Sequence, residues 1–198
     1  MGRDSAAKRT LTRLLTDVRA CRVCEAHLPL GPRPIVRATA SATVVIVGQA
    51  PGTRVHETGV PWDDPSGDRL REWMAVDREA FYDETRIAFL PMGFCYPGRD
   101  PKGGDRPPRP ECAPLWHPLL MPMLPRVKLV LLVGQYAQRY YLPGVVPVAE
   151  RVREFRAAPK GMFPLPHPSW RVNGWLRRNP WFARNVLPEL RRRLRALL

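Results

Sequence analysis

Apolar positions along this chain follow two alternating rhythms. Short unbroken runs occur at Thr43-Val44-Val45-Ile46-Val47, Lys128-Leu129-Val130-Leu131-Leu132-Val133 and Met162-Phe163-Pro164-Leu165, with a fourth apolar stretch over 86–92. Runs of this length predict strands over 42–48, 86–92, 128–134 and 161–165, and continuous apolarity suits strands buried on both faces of a parallel sheet. Between them, apolar residues recur at helical spacing. Leu11, Leu14, Leu15 and Val18 predict a helix over 4–19, and Leu70, Trp73 and Met74 one over 67–76. Further helices are expected over 112–121 and 135–141. At 180–198, Val186, Leu187, Leu190, Leu194 and Leu197 form a stripe opposite Arg191, Arg192, Arg193 and Arg195. Strands alternating with helices predict an α/β fold. We expect a single domain spanning 1–198, with three layers, α/β/α, around a central, mostly parallel four-stranded sheet.

The polar interruptions carry the chemistry. Gly48-Gln49-Ala50-Pro51-Gly52 leaves the first strand and His167-Pro168-Ser169 leaves the last. Ligands of open parallel sheets bind outside the carboxyl ends of the strands, so these two loops are expected to share one crevice. Residues 49–67 are turn-rich, and 96–111 contain almost no apolar side chain, which predicts an exposed loop.

Charge changes the picture further. Against 18 acidic residues stand 32 Lys and Arg, a formal net charge of +14, which favours a polyanionic partner. No apolar run approaches the roughly 20 residues that span a bilayer, and 1–19 lack the apolar core of a signal peptide. A cytoplasmic, nucleoid-associated protein without membrane contact is expected. Four cysteines, Cys21, Cys24, Cys95 and Cys112, comprise a C-x-x-C pair and two residues flanking the 96–111 loop. In a reducing compartment such a set suggests a metal site over disulfides, and four thiolates suit either a [4Fe–4S] cluster or zinc.

Taken in order, these segments resemble the uracil-DNA glycosylase superfamily, and within it the iron–sulfur-containing fourth family. The first motif of that family, Gly-Glu-Ala-Pro-Gly followed by Gly-x-Pro-Phe and Ala-Gly, is similar to Gly48–Gly52, Gly59-Val60-Pro61-Trp62 and Ser66-Gly67. Its last motif, His-Pro-Ala/Ser with Arg-Asn-Pro, is similar to His167-Pro168-Ser169 and Arg178-Asn179-Pro180. The resemblance implies that Cys21, Cys24, Cys95 and Cys112 hold a [4Fe–4S] cluster, with zinc as the alternative. It also implies a DNA glycosylase that hydrolyses the N-glycosidic bond of uracil, and of other deaminated or damaged bases, to initiate base-excision repair. A monomer suffices for this chemistry and is expected. The alternative is a damaged-DNA-binding protein of the same fold that holds a lesion without turnover. One relative traps DNA through a histidine in the loop between its last two cysteines, and 96–111 contain none.

The resemblance assigns roles residue by residue. Trp62 stands where the family has its stacking Phe, and His167 where a donor meets the charge developing on the departing base. Ala50, Gly52 and Met92 are expected around the base. The basic loop 96–111 and Ser169, Trp170, Arg171 and Arg178 are expected against DNA, with Trp170, Val172 or Trp175 as the wedge that fills the gap left by the flipped base. The chain departs from the pattern in three places. Gln49 replaces the Glu of the first motif and Ala50 cannot polarise water, which leaves Gln49, Asp63 and Asp64 as candidates for handling water, with Glu57 the other nearby carboxylate. Pro91 stands where the family has a base-reading Asn. Gly52 replaces a bulky Tyr of another branch, which predicts a roomier, less selective pocket.

Overall fold

A computed structural model describes the backbone of residues 2–198 and the side chains from residue 10 onward. Strands β1 (Val44–Val47), β2 (Ile87–Phe89), β3 (Leu129–Val133) and β4 (Met162–Leu165) form one sheet in the order β2-β1-β3-β4. Every pairing is parallel, with Val44 opposite both Ile87 and Leu129, and Val130 opposite Met162. Helices are α1 (Gly2–Arg19), α2 (Thr53–Thr58), α3 (Pro65–Met74), α4 (Arg78–Tyr82), α5 (Cys112–Leu120), α6 (Gln135–Tyr141), α7 (Val148–Arg153), α8 (Val172–Arg178) and α9 (Leu187–Arg195).

Strand side chains alternate between two cores. Val44, Ile46 and Leu131 pack with Leu70 and Trp73 of α3 and with Leu190 and Leu194 of α9. Val45, Val47 and Leu132 pack on the other face with Leu11 and Leu15 of α1 and Leu120 of α5. The three-layer α/β/α expectation therefore holds, and the central strands are apolar throughout because each face meets a helix. Pro164, which cannot donate to a ladder, sits on the edge strand β4. The outer edge of β2 is closed by Arg37, whose carbonyl accepts from the Phe89 amide at 2.7 Å.

The long helices fall where apolar spacing places them, whereas α2, α4, α7 and α8 were not anticipated. With five to seven residues each, they are too short to display a 3.6-residue period. The C-terminal stripe is real but interrupted. A π-helical turn, Phe182–Val186, precedes α9, and Pro188 lacks the amide hydrogen that would continue the ladder to Arg184.

Candidate active site

A cleft of about 610 Å³ opens at the carboxyl ends of the strands, a size suited to a small ligand. The Gly48–Gly52 loop after β1, Gly134 after β3 and His167 after β4 all line it, so the two strand-end motifs converge as expected. Bracing comes from behind. The buried Gln138 of α6 donates to the Leu165 carbonyl at 2.8 Å and the Leu132 carbonyl at 3.3 Å, tying the ends of β3 and β4 together.

His167 lies low in this cleft. Gly134 has φ +86°, and a Cβ there would sit 3.3 Å from the His167 Cβ, so glycine serves both the backbone turn and the imidazole's seat. Burial alone pushes the His167 pKa down to about 4, leaving a neutral ring at physiological pH. Its ring centroid is 6.0 Å from that of Trp62. Trp62 lies across the Gly48 backbone, where any Cβ would meet its ring at 2.6 Å. The Trp62 backbone is left-handed, with φ +57°, a strained conformation for a bulky residue. Aromatic and imidazole thus share one wall at the floor of the cleft.

A further part of the lining comes from the basic loop expected against DNA. Part of the 96–111 loop folds as a hairpin across the cleft, with Arg99 and Asp105 paired in an antiparallel bridge. The Gln49 side-chain amide donates to the Arg106 carbonyl at 3.2 Å, and the Arg171 guanidinium to the Gly103 carbonyl at 3.0 Å. Asp105 thereby enters the cleft, and its Oδ2 lies 3.2 Å from where a Gly52 Cβ would be. The missing side chain at Gly52 is therefore space taken by a carboxylate, which corrects the roomier pocket expected from that glycine.

The other acidic candidates are occupied. Asp64 caps α3, accepting from the Gly67 amide at 2.8 Å; it reaches the cleft, and burial holds its carboxyl above the usual range. Asp63 lies outside the cleft lining, bound to Arg78 at 3.0 Å and near Arg54 at 3.9 Å. Glu57 also lies outside the lining. Asp105 carries no side-chain hydrogen bond among the described residues, and partial burial raises its carboxyl, opposed by Arg99 and assisted by Asp64.

Ala50, Ser169, Trp170 and Arg171 line the cleft, whereas Met92 and Arg178 do not. Met92 is buried in the core against α1 and α5, because the apolar run over 86–92 carries past the strand end and turns this side chain inward. Pro91 does reach the cleft, but its carbonyl is engaged by the buried His117, whose Nε2 lies 3.1 Å away and whose Nδ1 pairs with the Tyr141 hydroxyl. Of the wedge candidates, Val172 is buried and Trp175 packs edge-on against Trp181 and Phe182. Trp170 alone of the three is open, 74% exposed, with the Arg171 guanidinium 5.5 Å from its ring. Arg54, Arg99, Asp105, Gln135 and Tyr136 line the cleft without having been singled out from sequence. Gln135 carried a usable signal, being the first polar side chain after the β3 run.

A family model of the uracil DNA glycosylase superfamily matches residues 36–191. The chain belongs to the uracil DNA glycosylase superfamily. Within this superfamily member the matched span holds both strand-end motifs, the hairpin with Asp105, and Cys95 and Cys112; Cys21 and Cys24 precede it.

Those four thiols of the glycosylase-family chain line a second, small cavity away from the cleft, bounded also by Phe94 and Arg109. None is in a disulfide. The Phe94 amide donates to Cys112 Sγ at 3.3 Å, and Cys24 Sγ donates to Glu111 at 3.9 Å. Burial, with the neighbouring thiols adding, pushes Cys95 up to about 11 and Cys112 up to about 12. Deprotonating them together requires a cation among them. No three His, Cys, Asp or Glu side chains among the described residues are grouped to hold a single metal ion.

Proposed function

We propose that this protein is a DNA glycosylase that flips uracil, or another deaminated base, out of DNA and hydrolyses its N-glycosidic bond. The observation that carries this reading is the pairing of neutral His167 with Trp62 at the floor of one strand-end cleft. Trp62 offers a stacking face to the extruded base, worth about 1–3 kcal/mol. As the C1′–N bond breaks, negative charge gathers on the base, and an imidazole N–H placed there stabilises it. His167 has no hydrogen-bond partner among the described residues that competes for this role. Trp170 on the rim is the wedge, and Arg54, Arg99 and Arg171 neutralise phosphates.

Cys21, Cys24, Cys95 and Cys112 form the donor set for a [4Fe–4S] cluster. Convergence of all four thiols on one cavity fits four-thiolate ligation. Four thiolates also suit a tetrahedral zinc, which is the alternative occupant. The group's contribution is structural: its ligands bracket the loop that carries Asp105.

The deciding assay incubates the protein with single- and double-stranded oligonucleotides carrying uracil or hypoxanthine, followed by alkaline cleavage. Strand breaks at the lesion are expected. Binding without breaks would favour the reading of a lesion-holding protein without turnover. Anaerobically purified protein is expected to be brown, with about four irons and four sulfides per chain; a colourless protein with one zinc would replace the cluster.

A further inference from the structure

The water-handling group of this cleft is not where the first motif would put it. Gln49 and Ala50 carry no carboxylate, and Gln49 spends its amide on the Arg106 carbonyl. Three aspartates come near. Asp63 is bound by Arg78 outside the cleft, and Asp64 is engaged at the N-terminus of α3. Asp105 is inside the cleft, against the first-motif backbone at Gly52, with neither carboxylate oxygen hydrogen-bonded among the described residues. A free carboxylate held by two anchors, Gln49–Arg106 and Arg171–Gly103, is placed for chemistry and makes no visible contribution to stability.

Resting on the glycosylase reading above, we propose that Asp105 is the catalytic carboxylate, activating water from the 96–111 hairpin in place of a first-motif acid. The step balances as a hydrolysis. The C1′–N bond breaks with its electron pair leaving on the base, whose oxygen meets the His167 N–H. The water oxygen bonds to C1′ as its proton passes to the Asp105 carboxylate. That proton then returns through solvent to the base nitrogen, giving free base and an abasic sugar. His167 leaves β4 and Gly52 follows β1, two strands over, and both line the same cleft as Asp105.

The charged groups acting on Asp105 are Arg99, on the other arm of the hairpin, and Asp64, just before α3; the Arg171 guanidinium is spent on the Gly103 carbonyl at the hairpin tip. Partial burial raises the Asp105 carboxyl, Arg99 opposes that shift, and Asp64 adds to it.

The test is single-turnover excision from uracil- and hypoxanthine-containing DNA, with lesion-DNA affinity measured alongside. Asp105→Asn is expected to lose at least about 100-fold in rate with affinity retained, and to lose the fall in rate that wild type shows on acidification. Gly52→Ala keeps a backbone that alanine tolerates, φ −82°, but places a methyl 3.2 Å from Asp105 Oδ2 and is expected to slow the same step. Wild-type excision with an Asp105→Asn enzyme of equal rate would overturn the assignment while leaving the glycosylase reading standing. Absence of wild-type excision on every substrate would overturn both.

Discussion

His167 leaves the end of a sheet strand, seated against Gly134 and braced through Gln138 to the Leu165 carbonyl, whereas Asp105 sits on a hairpin whose residues 101–107 are open to solvent. One wall of the cleft is an extension of the core; the other is a loop folded over it by a few hydrogen bonds. Both present an uncommitted titratable group, yet their environments differ. The imidazole is desolvated enough to stay neutral, while Asp105 is exposed on its loop, with Arg99 opposing the effect of partial burial on its carboxyl. The pairing suits a reaction that needs a rigid neutral donor on one side and a hydrated acceptor on the other. It also separates the tasks: the core wall sets the donor geometry, and the loop wall is free to change without unfolding the sheet.

The largest effect should come from the core wall. Replacing His167 by alanine is expected to lower single-turnover excision by about 10²–10³-fold, the usual cost of one transition-state donor. Thermal stability at neutral pH should change little, because the ring makes no hydrogen bond among the described residues. Acid behaviour sharpens the point. The folded pKa, about 4, lies below the ordinary value of 6.5, so the unfolded chain binds the proton first. Stability attached to this residue is therefore intact above pH 6.5 and is lost as pH falls toward 4, by at most about 1.4 kcal/mol per unit. Urea unfolding at pH 7 and pH 4.5 should show that loss in wild type and a smaller one in His167→Ala. Equal acid sensitivity in the two proteins would mean that the imidazole is not desolvated, and the contrast between the walls would collapse.

The same contrast explains what could be read from the sequence. The sheet, its parallel order and the strand-end convergence follow from apolar runs such as Leu129–Val133, whose pattern is dictated by burial on both faces. His167 and the Gly48–Gly52 loop are legible for the same reason, since each immediately follows such a run. Asp105 is not. It lies in a stretch of Pro, Gly and charged residues without periodicity, and its position depends on hydrogen bonds to Gln49 and Arg171, distant in sequence. Asp63 misled for a related reason: adjacency to Trp62 in sequence does not put a side chain on the same side, and Arg78 draws it away. Trp175 and Val172 showed the reverse error, reading as exposed because the short helix α8 that buries them has too few turns to announce itself.

A smaller effect tests whether the loop wall works as a unit. Gln49→Ala removes one neutral hydrogen bond to the Arg106 carbonyl, worth about 1 kcal/mol, or roughly fivefold in the closing equilibrium of the hairpin. If Gln49 acts only by positioning Asp105, the excision rate should fall by at most about fivefold with lesion-DNA affinity unchanged. In an Asp105→Asn background the same change should then cost nothing further, since the group it positions is gone. If Gln49 instead orients the attacking water itself, its loss should multiply with that of Asp105. A double-mutant cycle on single-turnover rates distinguishes the two, because residues acting through one another depart from additivity while independent ones do not. Additive losses would mean that Gln49 acts independently of Asp105; a Gln49 effect that vanishes in the Asp105→Asn background would mean that it acts only by holding the hairpin.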